Sequence, residues 1–275
     1  MKACTTAPGS LWLPAMLLLL FLVLTPLVRA QEQAQAVPSS RGGGAIAVYW
    51  QVVPKAQATV LLMPGGAGGF GSIDGNGRPT GGNFLVRSTA LFTAAGFNVA
   101  IMGRPDDVRD LSYEWRTRPE HLADMRQVLD WLRQRSEAPL WLVGTSRGTI
   151  SAALAAIDQQ QAIAGLVLSS SIVSGSKPGM LGTLALERIR VPVLLLHHAR
   201  DACALCRPEA LPAVLEQLSA SRLRELALVD GGAGAQGDVC GAQHWHGYIG
   251  MEAEAVQRIA AFIARAGSSP SALSR

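Results

Sequence analysis

The chain has 275 residues, of which 49% are hydrophobic, with 29 glycines and 15 prolines, long enough for one domain with a full core. Its formal charge is +4, from 24 basic and 20 acidic residues. The charges are scattered, with no dense basic run and no interleaving of basic and aromatic residues, which argues against nucleic acid as a partner.

Residues 1–30 read as a secretory signal peptide. Lys2 supplies a thin positive start, residues 15–24 an apolar stretch, Pro26 a break, and Val28-Arg29-Ala30 small residues at a cleavage position, with Gln31 as the new N-terminus. The apolar run between Pro14 and Pro26 is short for a membrane span, so no stable span is expected after cleavage. Cys4 precedes the apolar stretch and is not placed for lipid attachment. Loss of Lys2 and Arg29 reduces the 24 basic residues to 22 against 20 acidic. Residues 31–44, rich in Gln, Ala, Ser and Gly, read as a flexible leader, residues 45–265 as one domain without a dividing linker, and residues 266–275 as a flexible tail.

Within the domain, strand and helix signals alternate. Residues 58–63 form an apolar run suited to a buried strand, followed by a glycine-rich loop over 65–82. A helix is predicted over 84–95, closed by Gly96, then a strand over 98–102 and a helix over 119–135 that starts on Pro119. The strand ending in Val143 leads directly into Gly144-Thr145-Ser146-Arg147-Gly148 and a helix-forming run. Further strands are predicted over 165–168, 193–197 and 224–229, with helices over 208–219 and 252–264. Continuous apolar runs alternating with amphipathic helices predict an α/β fold, a mostly parallel central sheet with helices on both faces. Reactive groups then belong beyond the C-terminal ends of the strands. Only a short Ser- and Gly-rich stretch separates the strands at 165–168 and 193–197, which predicts a small or absent lid.

Gly-x-Ser-x-Gly between a strand and a helix is the pattern of a nucleophile elbow, with the serine on a tight, strained turn. The glycines two residues to either side avoid side-chain clashes, and the helix start aims free N–H groups at charge that develops beside the serine. A serine hydroxyl needs a base to take its proton, and an imidazole base needs a third group to fix its tautomer. Asp201, in His197-His198-Ala199-Arg200-Asp201, follows one strand; His244 and His246 follow the last. The order Ser146, Asp201, His246 puts all three candidates just past strand ends. Asp106 and Asp107, after a different strand, are second choices for the acid.

The chain resembles the α/β-hydrolases, and within them exported bacterial members of unassigned substrate. The resemblance spans residues 60–263 and is carried by Pro64-Gly65-Gly66-Ala67-Gly68-Gly69, Gly144-Thr145-Ser146-Arg147-Gly148, His197-His198-Ala199-Arg200-Asp201 and His246-Gly247-Tyr248. It implies Ser146 as nucleophile, His246 rather than His244 as base, and Asp201 as its orienting acid. The backbone N–H of Arg147 and that of Gly66 or Ala67 are implied as the oxyanion hole. The chain departs from many relatives in having Pro64 where they have His before the glycine.

The triad brings the loop of Cys240 beside the loop of Asp201, which predicts a Cys203–Cys240 disulfide, with Cys206 free or the alternative partner. His197, His198, Cys203 and Cys206 also have a spacing seen in zinc sites, but cysteines of an exported chain tend to pair, so no metal site is expected. No organic cofactor is implied. The resulting expectation is a periplasmic or secreted serine hydrolase acting on a small-molecule ester through an acyl-enzyme. An amide or thioester substrate would use the same residues, and a non-catalytic binding protein on the same scaffold is the rival from another class.

Overall fold

A computed structural model describes residues 1–3 and 33–268. The signal sequence predicted over 1–30 falls almost entirely outside them, as does the tail beyond Ser268. One eight-stranded sheet runs in the order β1-β2-β4-β3-β5-β6-β7-β8. Its strands are β1 Gln33–Pro38, β2 Ala45–Gln51, β3 Ala58–Met63, β4 Phe97–Pro105, β5 Leu140–Thr145, β6 Gly165–Ser169, β7 Val193–His198 and β8 Arg224–Val229. From β4 to β8 every neighbouring pair is parallel; β1 with β2 and β2 with β4 are antiparallel.

The central strands are buried along their whole length because each face of the sheet carries its own core. Side chains alternate between faces along a strand. Leu61, Met63, Leu142, Leu166, Leu168 and Leu195 point into one cluster. Val60, Leu62, Trp141, Val143, Val167, Leu194 and Leu196 point into the other. The first cluster is closed by α4 (Pro119–Arg133), α5 (Gly148–Gln159) and α6 (Leu211–Gln217). The second is closed by α1 (Phe84–Arg87), α2 (Thr89–Ala94) and α7 (Glu252–Gly267). A further short helix, α3 (Tyr113–Arg116), precedes α4. The mostly parallel sheet covered on both faces is the architecture expected from the sequence.

Several local features differ from expectation. The segment read as a flexible leader over 31–44 contributes β1, whose Val37 is buried, and Ser39 and Ser40 hydrogen-bond the buried Asp124 carboxylate. An edge strand pairs on one side only, so its backbone bonds hold it with little apolar sequence, and the polar composition concealed it. The helix expected over 84–95 breaks at Ser88, which separates α1 from α2. The one expected over 208–219 becomes a 3-10 turn, Pro208–Ala210, followed by α6; Pro212, which lacks an N–H, sits in the first turn of the new helix. The expected tail begins within a helix, since α7 runs to Gly267. Between β6 and β7 the described chain holds two 3-10 turns whose Leu181 and Leu186 are buried in the core, so no helical lid is inserted there.

Candidate active site

The serine stands on the turn between β5 and α5. Ser146 has φ +53°, a conformation that costs a side-chain-bearing residue energy, and its N–H donates to the Ser169 carbonyl at 3.0 Å. The flanking glycines are required by close approach. A Cβ on Gly148 would overlap the carbonyl oxygen of Met63, and one on Gly144 would lie 2.7 Å from the Gly148 oxygen. Gly65, at the end of the β3 loop, is held to hydrogen because a Cβ there would stand 2.7 Å from Ser146 Cβ.

The acid follows β7 closely, and the imidazole stands in a 3-10 turn, Trp245–Gly247, in the long loop after β8. Asp201 lies in the turn after β7, its side chain fully buried. Its Oδ1 accepts the Cys203 N–H at 3.0 Å, and its Oδ2 faces His246 Nδ1 at 2.8 Å and His197 Nε2 at 3.2 Å. Burial pushes this carboxyl upward, but the donors from His197, His246 and the Cys203 backbone prevail and hold it down at about 2. An ionised carboxylate only accepts, so both imidazole nitrogens facing it carry protons. His246 Nε2 is then an acceptor, and it is buried without a hydrogen-bond partner. No hydrogen bond joins it to Ser146, yet both residues line one cleft of about 260 Å³. Gly65, Gly66, Asn83, Phe84 and Gly247 line it too.

Comparison with known proteins reaches only as far as the fold. No protein-family model matches the sequence, and no curated protein matches it. Among solved structures, the chain is similar to an alpha-beta serine hydrolase homologue from Coxiella burnetii, at 17% identity, TM-score 0.57, covering 85% of this chain and 96% of that one. It is also similar to the dienelactone hydrolase of Anabaena variabilis (15%, TM-score 0.62, 86% and 98%) and to an esterase of Pyrococcus furiosus (14%, TM-score 0.61, 86% and 91%). The fold is that of the α/β-hydrolases.

On this α/β-hydrolase scaffold the sequence-predicted residues fall as follows. Ser146, His246, Gly66 and Cys240 border the cleft, and Asp201 stands behind His246. Arg147 caps α5. Gly66 has φ +57° in a turn closed by the Gly68 N–H on the Gly65 carbonyl at 3.0 Å. Among the described residues, the N–H groups of Gly66, Ala67 and Arg147 donate to no other protein group. His244 packs its ring edge-on to Trp245, with centroids 4.9 Å apart, and makes no bond to Asp201. Of the second-choice acids, Asp107 pairs with Arg41 away from the cleft.

Cys203 and Cys240 are joined by a disulfide that ties the Asp201 turn to the His246 loop, and Cys206 is free and buried. The four residues with zinc-like spacing do not form one cluster: His197 faces Asp201 and His198 Nε2 faces the Gly231 carbonyl, while Cys203, held in the bridge, lies with Cys206 beside His246.

Four supports of the imidazole loop escaped the sequence reading. His197, which the sequence offers as part of a motif and of a zinc-like spacing, is a second imidazole on Asp201. Ser170 Oγ donates to the His246 carbonyl at 2.7 Å, Tyr248 Oη donates to the Leu196 carbonyl at 2.8 Å, and Arg87 holds both the Gly247 carbonyl and Glu252. The partners of Ser170, Tyr248 and Arg87 lie between 52 and 165 positions away along the chain, where no local pattern links them, whereas His197 is four positions from Asp201.

Proposed function

We propose that this protein is an exported serine hydrolase that cleaves small carboxylic esters through an acyl-enzyme. The observation that carries the reading is the 2.8 Å bond between His246 Nδ1 and Asp201, which leaves the buried Nε2 as an unfilled acceptor on a residue that lines the same cleft as Ser146. A separated serine and imidazole are compatible with this role, since such contacts tighten when substrate binds.

In the proposed reaction Ser146 Oγ attacks the acyl carbon while His246 Nε2 takes its proton. The oxyanion faces the N–H groups of Arg147 and of Gly66 or Ala67, each such donor worth roughly 3 kcal/mol in the transition state. Asp201 holds the imidazolium. Collapse of the intermediate breaks the ester C–O bond, and the alcohol departs with the proton from His246. Water, losing a proton to His246, then attacks the acylated serine; the acid leaves and Ser146 recovers its hydrogen.

Three features support an ester of modest size. The cleft is small, with four glycines among its eleven lining residues, no helical lid is inserted between β6 and β7, and two of the structural neighbours are an esterase and a dienelactone hydrolase. Export is supported by the N-terminal pattern and by a disulfide, which persists in oxidising compartments such as the periplasm or the exterior.

Labelling of the mature protein with a fluorophosphonate, read by intact mass beside Ser146→Ala, tests the reading. One adduct on the wild type and none on the variant is the expected result. No adduct on folded wild-type protein overturns it and favours a binding role for the cleft.

A further inference from the structure

Arg116 is a fully buried cation without an acidic partner. Its side chain is among the largest that are wholly inside the protein, and among the described residues no carboxylate lies within ion-pair distance of it. Burial, with Arg147 as a second positive neighbour, outweighs the more distant charge of Asp110 and pulls the guanidinium down to about 9, which leaves it charged at neutral pH. The void beside it measures about 10 Å³, room for a water molecule and too little for a carboxylate. Charges are rarely kept inside a protein unpaired, so the neutral groups that hold this one are informative.

Three of the four groups belong to the β3 loop and the elbow helix, the segments that frame the cleft. Nη2 donates to the Pro64 carbonyl at 3.0 Å and the Gly66 carbonyl at 3.4 Å, both in the loop after β3. Nη1 donates at 2.8 Å to Ser151 Oγ on α5, the helix that starts beside Ser146, and Nε donates to the Leu111 carbonyl at 2.9 Å. Ser151 Oγ also meets His121 Nε2 at 2.9 Å. A trans peptide points its N–H opposite to its C=O. With the Gly66 carbonyl turned inward to Arg116, the Ala67 N–H faces away from it, toward the side where Gly66 and Ala67 are exposed.

We propose that Arg116 is a positioning residue that joins the two halves of the oxyanion hole, setting the loop peptides through Pro64 and Gly66 and the elbow helix through Ser151. The inference rests on the serine-hydrolase reading and assigns Ala67, rather than Gly66, as the donor on the loop side. Arg116 touches no reacting atom; it acts by fixing peptides whose dipoles face the oxyanion and by standing behind them as a fixed positive charge.

The test compares wild type, Arg116→Met and Arg116→Lys in hydrolysis of a p-nitrophenyl ester and in inhibition by a boronic acid, which forms a tetrahedral adduct on the serine. Arg116→Met is expected to lower kcat on the order of 10²-fold with little change in KM, and to weaken the boronic acid by a similar factor. Arg116→Lys, which keeps the charge and loses the fork, should recover part of both. A residue that only supported the fold would lower the melting temperature without separating kcat from KM. Folded Arg116→Met with wild-type kcat, or with boronic acid affinity unchanged, overturns the inference. Should Arg116→Met fail to fold, Arg116→Lys decides: wild-type kcat and inhibitor affinity in that variant overturn it equally. Fluorophosphonate labelling is run alongside. An unlabelled, inactive wild type removes the parent reading and this inference together, whereas a labelled wild type with an equally active Arg116→Met removes this inference alone.

Discussion

His197 and His246 meet on one oxygen of Asp201, at 3.2 and 2.8 Å. With the Cys203 N–H on the other oxygen, the buried carboxylate holds three donors. Each imidazole is left with one buried nitrogen that lacks a partner, but only His246 also lines the cleft with Ser146. The two rings share an acid and are predicted to differ in consequence.

Alanine at His246 is expected to lower kcat/KM on the order of 10⁴-fold, since it removes the proposed proton acceptor. His244→Ala should stay near wild type. His197→Ala should lose about 1 kcal/mol of stability, the worth of one hydrogen bond, and far less activity than His246→Ala. Kinetics and denaturant unfolding of the three variants check this ordering; an active His246→Ala would remove His246 from the base role.

Acid should destabilise the fold through Asp201. Its carboxyl titrates at about 2 in the folded protein and near 4 in an unfolded chain. A group depressed by folding stabilises the native state above its unfolded value, and the contribution is lost as pH falls from about 4 to about 2. The shift amounts to roughly 2 kcal/mol. Urea midpoints measured across that window should fall more steeply for wild type than for Asp201→Asn. Parallel curves would contradict the assignment of the shift to this residue.

Reduction of Cys203–Cys240 opens a cross-link between positions 37 residues apart. A loop of that length predicts a loss of about 3–4 kcal/mol. The bridge joins the turn of Asp201 to the loop of His246, so hydrolysis should fall with stability. Melting curves and ester turnover with and without a reductant, and for Cys240→Ser, measure both. Unchanged turnover in the reduced protein would show that the remaining supports, Ser170, Tyr248 and Arg87, hold the histidine by themselves.

Gly148→Ala and Gly65→Ala should fail in different ways. The first drives a methyl into the Met63 carbonyl under the elbow, and a loss of at least about 2 kcal/mol is expected. The second crowds Ser146 Cβ from the loop after β3, directly beside the serine, so labelling by the fluorophosphonate should slow more than the melting temperature falls. Thermal melts and labelling rates distinguish the two outcomes.

The apolar runs at β3, β5, β6 and β7 and the Gly-x-Ser-x-Gly turn were legible in the sequence because they are local: a strand buried on both faces must be apolar throughout, and a strained turn needs glycines at fixed offsets. Ser146 and Asp201 were legible for the same reason, each standing just past a strand end that periodicity marks, whereas His246 lies well beyond the end of β8, in the turn Trp245–Gly247. What tertiary structure alone decided is which groups meet. The resemblance already favours His246 over His244, but the contact of His246 with Asp201 depends on how the loop after β8 turns, and the second imidazole on Asp201 depends on where β7 ends. The strand in the supposed leader depends on β2 offering it an edge, since a peptide backbone carries the pairing groups whatever its side chains. Arg116 is the sharpest case: in sequence it is one arginine among many, and only the burial of its charge among carbonyls of distant segments makes it exceptional.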